Sequence, residues 1–419
     1  MFLFIVLKER YVLVLHSTKG IGHASVTKGA LAGENIFTMA RRTGCLFVHY
    51  FCHMIEDFLS KKLEERKQAN SLRTLVTNKN KIDFCSNDYL GIVKHNVLNQ
   101  PADNSLPHGS TGSRLLSGNY ELIEETENFI ADFHQANAGL IFNSGYDANI
   151  GLIASVAQKG DVVIYDQLSH ASIRDGIRLS FANAFSFLHN NVDDLKKKLI
   201  TSAGSAQNTF IITESVFSMD GDIAPLEDIF SLCKKYNAAL VVDEAHATGV
   251  IGEMGEGMVQ KLNLQNHCFA RVHTFGKACG SHGAIVLGSQ ELKQYLINFA
   301  RPFIYSTALP PAEIKAIASS YKIFPLLKKE RNQLFELIKI FKMNNLKYDL
   351  IKSNTPIQGI IIPGNANVKK AAAELQENNF DARAILYPTV PKMQERLRIV
   401  LHSFNTETEV RQLINILNR

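Results

Sequence analysis

"AALVVDEAHATG", Ala238–Gly249, climbs through Leu240, Val241 and Val242 and stops on Asp243, with His246 three residues further on. A short continuous apolar run bounded by polar residues reads as a strand buried on both faces, the kind found in parallel sheets. Working outward, the same pattern recurs in "ANAGLIFNS" (136–144), "DVVIYD" (161–166), "NTFIITES" (208–215), "ARVHTFG" (270–276) and "GAIVLGS" (283–289), with helical stretches between most of them. That alternation predicts an α/β fold with a mostly parallel sheet covered by helices on both faces. Beyond Pro310-Pro311, which marks a lobe boundary, residues 308–345 read as one long helix. "IQGIIIP", a helix over 367–379, "DARAIL", "RLRIVLHS" and a last helix then read as a smaller α+β domain.

Length and apolar content, 419 residues and 46%, suit one two-lobed enzyme better than a string of modules. The formal charge is +5, but Lys8, Arg10, Lys19, Lys28, Arg41 and Arg42 against Glu9 and Glu34 place most of it in residues 1–53. The body is therefore nearly neutral, and its basic cluster Lys196-Lys197-Lys198 reads as a solvated helix face, so no nucleic-acid partner is expected. The six cysteines show neither CxxC spacing nor a framework of close pairs, which predicts no metal and no disulfides and points to a reducing cytoplasm. No apolar run approaches a membrane span.

Residues 1–53 differ in composition from the rest and are expected to be a non-native or disordered N-terminal extension. Helical periodicity starts only at Met54, with Ile55, Phe58, Leu59 and Leu63 on one face. Residues 54–107 then form an N-terminal helix and arm, 108–309 the large domain and 310–419 the small one.

In open α/β sheets ligands bind beyond the carboxyl ends of the strands. Four such ends carry unusual chemistry here. Ser144 and Gly145 in "IFNSGYDAN" open a helix whose free N–H groups favour a phosphate. Asp243 and His246 follow one strand, His170 in "QLSHAS" another, and Thr274 and Lys277 in "HTFGKACGSHG" a third. Singly, each has a plain reading: a helix cap, a core histidine, a solvated turn. Together a phosphate cup, a carboxylate, a flat ring and a lysine specify pyridoxal phosphate, PLP.

The segments "FCSNDYLG" (84–91), "HGSTGSRLLSGNYELIEETE" (108–127), "QLSHASIRDGIR" (167–178), "TESVFSMDGDIAPL" (213–226), "VDEAHATGVIGEMGEG" (242–257), "HTFGKACGSHGA" (273–284), "ARPFIYSTALPP" (300–311) and "PTVP" (388–391) resemble the α-oxoamine synthases. These are fold-type-I PLP-dependent transferases, and the resemblance runs from about Met54 to the C-terminus. It implies Lys277 as the Schiff-base lysine and proton shuttle, Asp243 as partner of the ring nitrogen, His246 and Ser218 near the ring hydroxyl, and His170 stacked on the ring. Ser144, Gly145, Tyr146 and Thr274 would hold the phosphate, helped across a homodimer interface by Ser306 or Thr307. Arg73 and Asn87 match substrate-side polar residues.

Within the family the motifs most resemble the branch that condenses L-alanine with a pimeloyl thioester, on coenzyme A or acyl carrier protein, with loss of carbon dioxide, in biotin biosynthesis. Sister enzymes use glycine with acetyl-CoA or serine with a long acyl-CoA, and some relatives are non-catalytic subunits that lack the lysine. Two positions depart from the family pattern. Leu386 stands where an arginine usually grips the amino-acid carboxylate, leaving Arg383, Arg396 or Arg398 to replace it, and Met393 stands where glycine is common.

Overall fold

Seven strands form the central sheet: β1 (Ala138–Phe142), β2 (Val162–Asp166), β3 (Asn183–Phe187), β4 (Thr209–Glu214), β5 (Ala239–Asp243), β6 (Ala270–Thr274) and β7 (Ala284–Gly288). This is a computed structural model, and it describes residues 7–8, 11–18, 21–27, 56–77, 80–98, 106–202 and 206–419. The sheet order is β1-β7-β6-β5-β4-β2-β3. All neighbours run parallel except β7, which is antiparallel to both β6 and β1.

Alternate residues of each strand enter two cores. Ile141, Ile164, Ile211, Leu240, Val242 and Ile285 pack into one, and Leu140, Val163, Ile212, Val241, Val272 and Val286 into the other. A strand buried on both faces needs no polar alternation, which is why these runs are continuous in the sequence. β3 breaks that rule. It lies at the sheet edge, and four of its five residues, Asn183–Ser186, are exposed, so it has no apolar run to find.

The described chain divides into two compact units, Met1–Leu75 and Val76–Arg419. In the first, Leu7–Lys8, Tyr11–Thr18 and Ile21–Thr27 pair antiparallel, and a helix covers 56–68 as its periodicity predicts. Residues 28–55, and with them much of the extension expected over 1–53, lie outside the described residues.

The second unit holds the large sheet and a smaller antiparallel one, in which Arg396–Val400 lies between Ile357–Ile361 and Arg383–Ile385. The single helix expected over 308–345 is interrupted. Pro311–Ile323 and Lys328–Met343 are separated by a tight turn at Phe324–Leu326, because Pro325 has no N–H to continue the helix. The first of these helices packs on Glu121–Phe133 of the large layer, and one apolar core extends from Phe84 to Leu417.

Candidate active site

The carboxyl ends of β1, β4, β5 and β6 meet at a cleft of about 290 Å³ lined by Asn87, Ser144, Gly145, Tyr146, Asn149, His170, Glu214, Asp243, His246, Thr274 and Lys277, among others. The strand-end rule thus brings most of the residues proposed from the sequence to one place.

Helix Gly145–Val156 begins at the cleft. Its N-cap Ser144 accepts from the Asp147 amide at 3.0 Å, a cap that stabilises the helix start by about 1 kcal/mol. A Cβ at residue 145 would lie 2.5 Å from Thr274 Cγ2, so only glycine lets the helix start come this close to β6. Thr274 Oγ1 beside it is buried and has no hydrogen-bond partner. An orphaned hydroxyl next to a helix N-terminus, with a glycine keeping the approach open, fits a phosphate group.

Asp243 is buried, and both its oxygens are fixed. Oδ1 accepts from the Ala245 amide at 2.9 Å and Oδ2 from Asn149 Nδ2 at 2.7 Å. His170 is held at its ring, where Ser172 Oγ lies 2.8 Å from Nδ1, and at its backbone, where its N–H donates to Glu214 Oε1 at 2.6 Å. Burial pushes the His170 pKa down, against the pull of Asp243 and together with the repulsion of Lys277. A neutral flat ring, a held carboxylate and the phosphate seat match the three parts of PLP.

Lys277 Nζ lies 3.0 Å from His246 Nε2. On the far side, Tyr89 Oη is 2.7 Å from His246 Nδ1 and donates to Asn87 Oδ1 at 3.1 Å, where Arg398 Nη2 also donates at 3.0 Å. Arginine can only donate, so Asn87 presents its oxygen to it. Asn87, Tyr89, His246 and Lys277 thus form one hydrogen-bonded chain that ends on the Lys277 amine. Burial drives His246 well below its ordinary pKa, with Lys277, Arg398 and His170 adding to the effect. Burial also lowers Lys277 to about 8, against the attraction of Asp243 and Glu214. A lysine so placed has a substantial neutral fraction near physiological pH, which a proton-transferring amine requires.

Other proposed residues have different surroundings. Ser218 offers its carbonyl to Arg398 Nε at 2.7 Å and does not line the cleft. Ser306 and Thr307 line a separate small pocket with Arg114 and Phe303. Arg73 belongs to the first unit. Arg383 is paired with Asp381 at 2.9 Å, and Arg396 with Asp220. Leu386 is partly buried against the core. Met393 keeps the left-handed backbone, φ 67°, that its position's usual glycine would suit.

Sequence reasoning missed Tyr89, Asn149 and Glu214, although all three sit inside segments already quoted. Applying the strand-end rule to "NTFIITES" would have found Glu214.

Comparison with known proteins agrees with this geometry. Residues 79–417 match the family "Aminotransferase class I and II". The chain is 40% identical to an 8-amino-7-oxononanoate synthase of Emericella nidulans, over 86% of this chain and 94% of that protein. The solved 8-amino-7-oxononanoate synthase of Francisella tularensis is 30% identical with a TM-score of 0.67, covering 81% of this chain and 97% of that one. A serine palmitoyltransferase of S. paucimobilis, solved with PLP and myriocin bound, is 26% identical with a TM-score of 0.75, covering 81% and 86%.

Proposed function

The chain belongs to the aminotransferase class I and II family, and from that premise we propose that it is a PLP-dependent acyltransferase that condenses L-alanine with a pimeloyl thioester. The products are 8-amino-7-oxononanoate, carbon dioxide and the free thiol, as the names of its relatives indicate. The observation that carries the reading is the Lys277 amine, set 3.0 Å from His246 Nε2 in one cleft with Asp243, His170 and Thr274.

When bound, PLP supplies an electron-poor ring that takes up the electron pair released at the alanine α-carbon. The residues do the rest. With the cofactor bound, Asp243, its two oxygens already oriented, would keep a proton on the ring nitrogen. His170 would pack on the ring, His246 would lie near its hydroxyl, and Thr274 with the Ser144-Gly145-Tyr146 helix start would hold the phosphate. Lys277 Nζ would be the amine that holds the cofactor, and once freed it would take the alanine α-proton and return a proton to the same carbon after carbon dioxide leaves.

Of the three candidate arginines, Arg398 is assigned the alanine carboxylate. Arg383 and Arg396 already have carboxylate partners, whereas Arg398 reaches the cleft side through Asn87. That assignment explains how Leu386 is tolerated.

The reading includes a homodimer in which Ser306 and Thr307 approach the partner's phosphate. Exposed Leu116 and Tyr305 support an interface in this region. It also keeps a large domain over 108–309 and a small one over 310–419, supported by the two separate sheets. A cytoplasmic location is supported by the free thiols of Cys85, Cys233, Cys268 and Cys279. Among the described residues no helix is long and apolar enough to cross a membrane.

The test is thiol release by the PLP-loaded protein with alanine plus pimeloyl-CoA, run beside glycine plus acetyl-CoA and serine plus palmitoyl-CoA. Release confined to the first pair is expected; preference for either other pair would move the chain to a sister activity.

A further inference from the structure

Glu214 closes β4 directly beside Asp243, its register partner at the end of β5. It is 3% exposed and lines the cleft. Its Oε1 accepts the His170 backbone N–H at 2.6 Å, across 44 residues of sequence. His170 is otherwise held by its own turn, where Ser172 donates its amide to Nδ1 at 3.2 Å, and by an edge-on contact of its ring with Tyr146, centroids 6.4 Å apart. Those contacts act on the ring, whereas Glu214 ties the His170 backbone to a neighbouring strand.

We propose that Glu214 is a positioning residue that sets the pitch of His170 against the cofactor ring by gripping the His170 amide, and so acts on PLP through the imidazole. One further fact agrees with this role. Burial and the nearby Asp243 raise Glu214 to about 8, against the pull of the His170 amide and Lys277, with Asp166 adding to the rise. Protonated or not, the Glu214 carboxyl keeps an oxygen free to accept the His170 amide. Glutamine can reproduce that acceptor at the same reach; leucine fills the space and leaves the amide unpaired.

The proposal rests on the reading of His170 as the ring-stacking residue, and the experiment separates the two. PLP dissociation constants and the visible circular dichroism of bound cofactor are measured for wild type, Glu214→Gln, Glu214→Leu, His170→Ala and the Glu214→Leu/His170→Ala double variant. Glu214→Gln should stay within about threefold of wild type, and Glu214→Leu should bind about tenfold more weakly, with an altered dichroism band. In the His170→Ala background, Glu214→Leu should cost no further affinity, although the amide is still left unpaired. Unchanged binding by Glu214→Leu, or an undiminished loss in the double variant, overturns the proposal. Wild-type affinity in His170→Ala alone would instead remove the stacking role on which it rests. If the leucine variant does not fold, Glu214→Ser, too short to reach the amide, takes its place in the cycle.

Discussion

The protein buries two clusters of ionisable side chains at the carboxyl edge of one sheet, and they resolve the cost of burial in opposite ways. Around His189 every charge has an opposite charge beside it. His189 lies 2.9 Å from Asp166 and 2.7 Å from Asp222, and Asp220 is paired with Arg396. There the hydrogen bonds to Asp166 and Asp222 outweigh the downward push of burial and raise His189 to about 9, so the cluster holds its ions. Around Lys277 burial dominates instead. The lysine falls to about 8, Glu214 rises to about 8, and His246 is pushed well below its usual range. Mutually satisfied charges hold the fold, whereas groups left near the point of changing charge are available for proton transfer. The contrast predicts that substitutions in the two clusters should separate activity from stability.

The largest effect is expected at Lys277. Lys277→Ala should lower turnover by about 10⁴-fold and abolish covalent PLP retention, read by absorbance after borohydride reduction and denaturation. Its melting temperature without cofactor should match wild type, and turnover close to wild type would remove Lys277 from the mechanism. Arg396→Ala should do the reverse. It leaves Asp220 buried without its partner, at a cost of about 3–5 kcal/mol in urea unfolding. If Arg396→Ala were as stable as wild type and merely inactive, the division between the clusters would fail.

Much of this was readable in the sequence, and what was missed has a common physical reason. β1, β2 and β4 to β7 announced themselves because both faces are buried, and Asp243, Lys277, His170 and Thr274 because each follows such a run. β3 was silent because it is an exposed edge. Tyr89 and Asn149 were missed because they act on other residues: Tyr89 orients His246 and Asn149 orients Asp243, and such contacts between distant segments leave no spacing to read. Glu214, which holds the His170 amide, ends a buried run and was open to the strand-end rule. The Leu386 departure could likewise be resolved only by seeing which arginines were already paired.

The His189 cluster also makes a pH prediction that the cleft does not share. The folded-state pKa of about 9 lies above the unfolded value near 6.5. The stabilisation is therefore fully present below about pH 6.5 and is lost as pH rises through about 9, amounting to about 3 kcal/mol. Urea unfolding between pH 6 and 10 should show this fall in wild type and a much flatter profile in His189→Gln. An equally steep alkaline fall in both would assign the effect to other groups.

The smallest effect tests the comparison where the clusters come closest in sequence. Arg396 and Arg398 sit two residues apart on one strand, on the same face, yet Arg396 ends on Asp220 in one cluster while Arg398 reaches Asn87 beside the cleft. If Arg398 grips the alanine carboxylate, Arg398→Lys keeps the charge and loses the planar fork. KM for alanine should then rise by about 10–100-fold, with KM for the acyl thioester little changed and stability within about 1 kcal/mol of wild type. Arg383→Ala, which removes an arginine already paired with Asp381, should leave KM for alanine within about threefold. If the two variants exchanged these outcomes, the carboxylate site would belong to Arg383. The single strand carrying both arginines would then be structural along its whole length.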